Sequence, residues 1–214
     1  DCLYNPADYL KQLKDATGGA YVVVEKILDL DEQLHQGWAV QGTSGYQFMN
    51  YLNSLYCFRK NEKEFTELYE DFTGYRVSHE QLLYDQKQKF IEMYMEGHFR
   101  YLVYILRPVL EACSIADDID FEKLQNALQE MAIALDIYRT YINPHHFCDA
   151  DRRHITDAIE KAALNNPVLN SELQLLKKLF FLDLPCEKKE QVRQQVFDFI
   201  MQFQQLTGPI MAKG

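Results

Sequence analysis

The fold is decided by Gly19-Ala20-Tyr21-Val22-Val23-Val24-Glu25-Lys26, residues 19–26. From Tyr21 to Val24 the residues are aromatic or β-branched, and Gly18-Gly19 stands in front of them, which predicts a strand rather than helix. The run is continuously apolar instead of alternating, so the expectation is a strand buried on both faces, as in a parallel sheet. Glu25 is the first polar residue at its C-terminal end. Two explanations fit that position. Either the strand simply reaches water there, or the carboxylate stands where α/β barrels keep their catalytic groups.

Working outward, Asn5-Pro6 supplies an N-cap and a proline at the first helical position, and Gly18-Gly19 ends the helix between them. After the strand comes a loop over 29–43 with the only tryptophan, Trp38. From there to about residue 130 the pattern is almost entirely helical. Thr43 or Ser44 caps a helix with Phe48, Leu52, Leu55 and Tyr56 on one face, and Asn61 caps the next, which Gly74 ends. Ser78 with Gln81 fits a capping box at the start of a long helix that Pro108 kinks or ends. Asp120 caps a further helix through Leu124, Leu128 and Met131.

Ile137-Tyr138-Arg139-Thr140-Tyr141-Ile142 returns to strand-forming residues and stops at the Asn143-Pro144 turn signal. Helices resume at about 151–164, 171–182 and 187–206. The chain is thus mainly α, with two short strands that need partners beyond these residues. Its divisions are 1–28, a helix and strand; 29–136, a helical block; and 137–214, a second strand with following helices. The three together are expected to make one compact unit. The abrupt ends at Asp1 and Gly214 suggest an excised piece of a longer polypeptide.

Of the 214 residues, 47% are hydrophobic and 25% charged, which excludes a disordered or low-complexity chain. No apolar run approaches the roughly 20 residues of a membrane span. The balance of 22 Lys and Arg against 32 Asp and Glu gives a net charge of −10. That surface repels phosphate backbones and anionic lipid, so neither nucleic acid nor membrane is an expected partner. Five widely spaced cysteines without a CxxC pair fit reduced thiols in a cytoplasmic protein. His145, His146, Cys148, Asp149, Asp151 and His154 gather metal-ligand residue types, but in an order without a recognised ligand spacing. Asp149 and Asp151 read more simply as first-turn helix residues, so no metal is expected, and no phosphate loop or nucleophile motif points to a cofactor.

A longer pattern surrounds Glu25. Val22-Val23-Val24-Glu25-Lys26-Ile27-Leu28 is followed by Gly37-Trp38-Ala39-Val40, then Gly42-Thr43-Ser44-Gly45-Tyr46, Asn50, Asn53 and Leu55. Tyr138-Arg139-Thr140-Tyr141 and the closing Thr207-Gly208-Pro209-Ile210-Met211-Ala212-Lys213-Gly214 extend it. These segments resemble the maltooligosyltrehalose synthases, more weakly over about 80–130 and 160–200. The resemblance implies a helical insertion region with two short strands taken from an α-amylase-superfamily (β/α)8 barrel. It implies a retaining intramolecular glucosyl transfer on a maltooligosaccharide, with Glu25 as general acid/base. Asp1-Cys2-Leu3-Tyr4-Asn5-Pro6 matches only the second half of the family's fourth-strand motif, with Cys2 in place of Gly and Asn5 in place of Asp. Asp1 is therefore not the nucleophile. The nucleophile and the third carboxylate are both missing from these residues, which implies that the piece alone is inert.

Aromatic rings stack on pyranose faces, but most of the 14 Tyr and 13 Phe fall at helical spacing and read as core. Trp38 and Tyr46, in the loop after the catalytic strand, are the candidates for lining a substrate cleft. Tyr138, Arg139 and Tyr141 end the second strand, where the superfamily also places substrate contacts, although Arg139 equally suits pairing with a carboxylate at the barrel rim. Two other functions stay open: an amylase- or trehalohydrolase-like hydrolase segment, and a non-catalytic helical interaction module. The oligomeric state is not legible.

Overall fold

The computed structural model describes residues 3–28 and 32–214, and the side chain of Lys189 is not among them. It divides into two compact units, one over 6–83 and one that joins residues 3–5 to residues 84–214.

The first unit begins with α1 (Pro6–Ala16), ended at Gly18 and Gly19 by backbone with φ of +64° and +83°. Strand β1 (Val23–Val24) then pairs in parallel with β2 (Gly42–Thr43), Val23 opposite Gly42 and Val24 opposite Thr43. The mainly helical class with two short strands is as expected, but the second strand is not. The expected burial of residues 20–24 on both faces is also overturned: Tyr21 is 78% exposed and Val23 44%. A strand is covered on both faces only inside a wider, layered sheet, and among the described residues β1 has the single neighbour β2.

Helix α2 (Tyr46–Tyr56) starts from Gly45, held at φ +101° with no side-chain cap, so neither Thr43 nor Ser44 caps it. Asn61 does precede α3 (Glu62–Thr73), without a capping hydrogen bond, and Gly74 closes that helix in the left-handed conformation. Neither helix buries a residue. Phe48, Leu55, Tyr56 and Phe72 all stand exposed, so aromatic spacing that reads as core is an open apolar face here. Ser78 Oγ accepts the Gln81 N–H at the start of α4 (His79–Phe90), as the capping-box pattern predicts.

In the second unit α4 passes through a π-helical turn over Ile91–Met95 into α5 (Glu96–Ala112). Pro108 does not end α5, which continues for another turn. The bond its missing N–H forfeits is offset by burial of the next residues, Val109 and Leu110. Asp120 caps α6 (Phe121–Ala134) by accepting the N–H groups of Glu122 and Lys123 at 3.0 and 3.1 Å. Then follow α7 (Asp149–Asn165), α8 (Asn170–Phe180) and α9 (Lys189–Lys213). Phe99, Leu102, Leu106 and Leu110 of α5 repeat at helical spacing and are sealed from solvent with Leu124, Leu128 and Met131 of α6. Phe180 meets Phe199 and Phe203 edge-on, at centroid distances of 6.1 and 5.3 Å.

Residues 137–142 do not form the expected strand. The carboxamide of Gln204, on α9, satisfies the Ile142 backbone instead: Oε1 accepts Ile142 N–H at 2.7 Å and also the Thr140 Oγ1–H at 2.8 Å, while Nε2 donates to Ile142 O at 2.9 Å. Lys87 Nζ donates to the carbonyls of Ile133 and Leu135, which the end of α6 would otherwise leave open. The expectation of reduced cysteines throughout is also corrected, because Cys113 and Cys186 form a disulfide with Cα atoms 4.7 Å apart. Their 73-residue separation hides a contact between the end of α5 and the loop before α9. Cys57 and Cys148 are free thiols. Among the described residues no helix is long and apolar enough to cross a membrane.

Candidate functional site

Glu25 leaves the end of β1 exposed to solvent, and the parallel register decides what faces it. Gln41 N–H donates to Val22 O at 2.9 Å and Ser44 N–H to Val24 O at 3.1 Å, so the two chains run side by side as far as Glu25. Gly45 then turns the backbone through positive φ, a conformation that costs glycine little, and the next residue is Tyr46. Its phenol donates to Glu25 Oε1 at 3.1 Å. That hydrogen bond, with the carboxylate's charge behind it, raises the Tyr46 phenol above its ordinary value, so the group keeps its proton and remains a donor.

Lys26, the residue after Glu25, points the other way. It is 2% exposed and ion-paired with Glu32 at 2.6 Å, which anchors the segment immediately beyond the carboxylate. Sequence reasoning missed this pair and the Gly45 turn. The Gly45-Tyr46 step directly after Thr43-Ser44 was the available signal for the turn, whereas nothing local marks a lysine for burial. Trp38 is half-buried in a turn where its N–H donates to His35 O at 3.0 Å, and its ring stacks on His35 with centroids 6.2 Å apart.

Tyr138, Arg139 and Tyr141 belong to the second unit. Arg139 is 1% exposed and donates Nη1 to Leu3 O at 2.7 Å and Nη2 to Tyr4 O at 3.3 Å, with Cζ 5.3 Å from the Tyr141 ring centroid. Its guanidinium thus fastens the beginning of the chain to the 137–142 segment. Tyr4 in turn donates to Asp198 Oδ1 of α9 at 2.5 Å. Tyr138 lays its ring against the backbone of Gly208.

Among the residue types weighed for metal, the structure gathers three. One ligand atom each of His146, Cys148 and Asp151 lies within 4.8 Å of the others, at the start of α7. Burial pushes the Cys148 thiol up. His154 lies apart from them, against Asp136 at 3.2 Å.

No protein-family model matches the sequence. A putative maltooligosyl trehalose synthase of Mycobacterium tuberculosis is 37% identical over 71 residues, which is 33% of this chain and 9% of that protein. The solved structure of maltooligosyltrehalose synthase from Arthrobacter ramosus superposes on all of this chain with a TM-score of 0.77 at 25% identity. The chain resembles the maltooligosyltrehalose synthases. A hypothetical maltooligosyl trehalose synthase of Sulfolobus tokodaii agrees over 99% of the chain, with a TM-score of 0.65 at 25% identity. The chain spans only 24% of the first of these synthase structures and 23% of the second.

Proposed function

We propose that this chain contributes the acid/base carboxylate of a maltooligosyltrehalose synthase, an isomerase of trehalose biosynthesis, and that the carboxylate is Glu25. The observation that carries this reading is the pairing of Glu25 with Tyr46 at the end of the parallel strand pair. Whole-chain similarity to synthase structures supports it. The reaction converts the reducing-end α-1,4 bond of a maltooligosaccharide into an α,α-1,1 bond.

In a retaining mechanism Glu25 protonates the glycosidic oxygen as the reducing-end glucose departs, while a second carboxylate captures the remaining chain covalently. Glu25, now ionised, takes the proton from the anomeric hydroxyl of the turned glucose as that oxygen attacks. Tyr46 acts as a positioning residue that fixes which carboxylate oxygen faces the bond. Water has to be shut out between the two steps, or hydrolysis competes. Trp38 serves as a sugar contact on this reading, whereas Arg139, 1% exposed and bound to the carbonyls of Leu3 and Tyr4, holds its own unit together. Retaining transfer needs its two carboxyl groups about 5–5.5 Å apart, and no residue here is assigned as nucleophile, so the chain by itself is inert.

The test uses the complete polypeptide that carries these residues, with and without Glu25→Gln, incubated with maltopentaose. The expected result is loss of reducing ends without release of glucose, abolished by the substitution. Glucose release by the unsubstituted protein would indicate a hydrolase. Undiminished activity of the variant would remove Glu25 from the mechanism.

A further inference from the structure

Helix α7 begins with an unusual cap. Ser, Thr, Asp and Asn are the residues that favour the N-cap position, yet Cys148 occupies it. Asp151 completes the capping box, with its Oδ2 accepting the Cys148 N–H at 3.1 Å and lying 3.1 Å from Sγ. A hydroxyl would fill this structural role as well as a thiol does. A thiol adds a soft ligand.

The third member arrives by a separate route. Asn143 and His146 form an antiparallel bridge across the Pro144-His145 turn, which fixes the His146 backbone and brings Nε2 to 3.7 Å from Asp151 Oδ2. Nitrogen, sulfur and oxygen donors therefore converge from a tight turn, an N-cap and a first helical turn. Asp151 is 7% exposed. The nearby Arg152 does not occupy the space between them with its charge, because its guanidinium lies over the Phe147 ring, 4.2 Å from the centroid.

We propose that His146 Nε2, Cys148 Sγ and an Asp151 carboxylate oxygen form a three-ligand site for zinc or a similar borderline divalent cation. Tetrahedral zinc with bonds of about 2.3 Å to sulfur and about 2.0 Å to nitrogen and oxygen sets its ligands roughly 3.3–3.5 Å apart. The observed separations of 3.1 and 3.7 Å straddle that value, and all three atoms lie within 4.8 Å. On binding, the Cys148 thiol gives its proton to solvent, and the imidazole binds neutral. With three protein ligands the fourth position is left to water, the arrangement of an open rather than a closed zinc site.

The test is a cobalt(II) titration of the tag-free 214-residue chain followed by absorption, with zinc as competitor. The expected result is a near-ultraviolet thiolate-to-cobalt charge-transfer band that saturates at one equivalent and is abolished by zinc. Cys148→Ser removes the band while helix content is retained, because serine is the better cap. His146→Ala, which lies outside the helix, weakens cobalt binding by about tenfold or more. Cys57→Ser leaves the band intact. A titration without a saturable band, a band that survives Cys148→Ser, or unchanged affinity in His146→Ala would overturn the site.

Discussion

Gln204 and Ile142 hold each other by two opposed hydrogen bonds, Ile142 N–H to Oε1 at 2.7 Å and Nε2–H to Ile142 O at 2.9 Å. This is the pairing a neighbouring strand would offer, supplied by one side chain 1% exposed. A leucine at 204 fills similar volume but leaves the Ile142 N–H and C=O and the Thr140 hydroxyl without that partner. Buried polar groups left unsatisfied cost about 1–3 kcal/mol each, so Gln204→Leu is expected to destabilise the protein by about 3–5 kcal/mol. Thr140→Val, which removes one of the three bonds, costs about 1 kcal/mol. Urea unfolding midpoints measure both, and equal losses in the two variants would refute the amide's double role.

The same pair shows what was legible in the sequence and what was not. Signals that act within a few residues of themselves were readable: the Asp120 cap, the Gly74 stop, the Ser78 start and the strand just before Glu25. Residues 137–142 read as a strand because their composition is that of one. Their actual backbone partner lies 62 residues away at Ile142 and is a side chain, which no local periodicity encodes. The Cys113–Cys186 contact was hidden for the same reason. Glu25 and Tyr46 could be named singly, but their meeting depends on the parallel register of β1 and β2, set by a loop with no strong pattern.

Alkaline stability should depend on Tyr84. Its phenol donates to Glu130 Oε1 at 2.8 Å, and burial, then that hydrogen bond and the carboxylate's charge, push its pKa up to about 12. A raised pKa means that the contribution is complete below the unfolded value near 10 and is lost as pH rises through 12. After allowance for partial exposure the loss amounts to about 1–2 kcal/mol. Chemical denaturation at pH 9 and pH 12 should show it, and Tyr84→Phe should flatten that part of the profile. An unchanged slope in the variant would assign the alkaline loss elsewhere.

A side chain at position 208 is predicted to destabilise the protein. A Cβ there would lie 2.8 Å from Tyr138 Cε1 and 3.1 Å from Cζ, closer than carbon atoms approach without displacement. The helix would favour alanine intrinsically by about 1 kcal/mol, whereas overpacking a filled contact costs about 1–3 kcal/mol. Gly208→Ala should therefore be net destabilising by up to about 2 kcal/mol. The double variant with Tyr138→Ala should recover the helix gain and show coupling between the two positions. Additive losses would mean that the ring moves aside freely.

The disulfide makes a prediction about folding conditions. Cys113 and Cys186 close a segment 73 residues long that contains all of α6, α7 and α8. The chain-entropy estimate for a loop of that length is about 4 kcal/mol, and measured values fall commonly at about 2–4 kcal/mol. Reduction should lower the urea midpoint accordingly, and Cys113→Ser should reproduce the loss without reductant. Because Cys113 and Cys186 are each 8% exposed and packed in the core, reduction of the folded protein should be slow and should accelerate sharply once denaturant opens it. A thiol titration that finds both groups reactive in the native, oxidised protein would contradict the bridge itself.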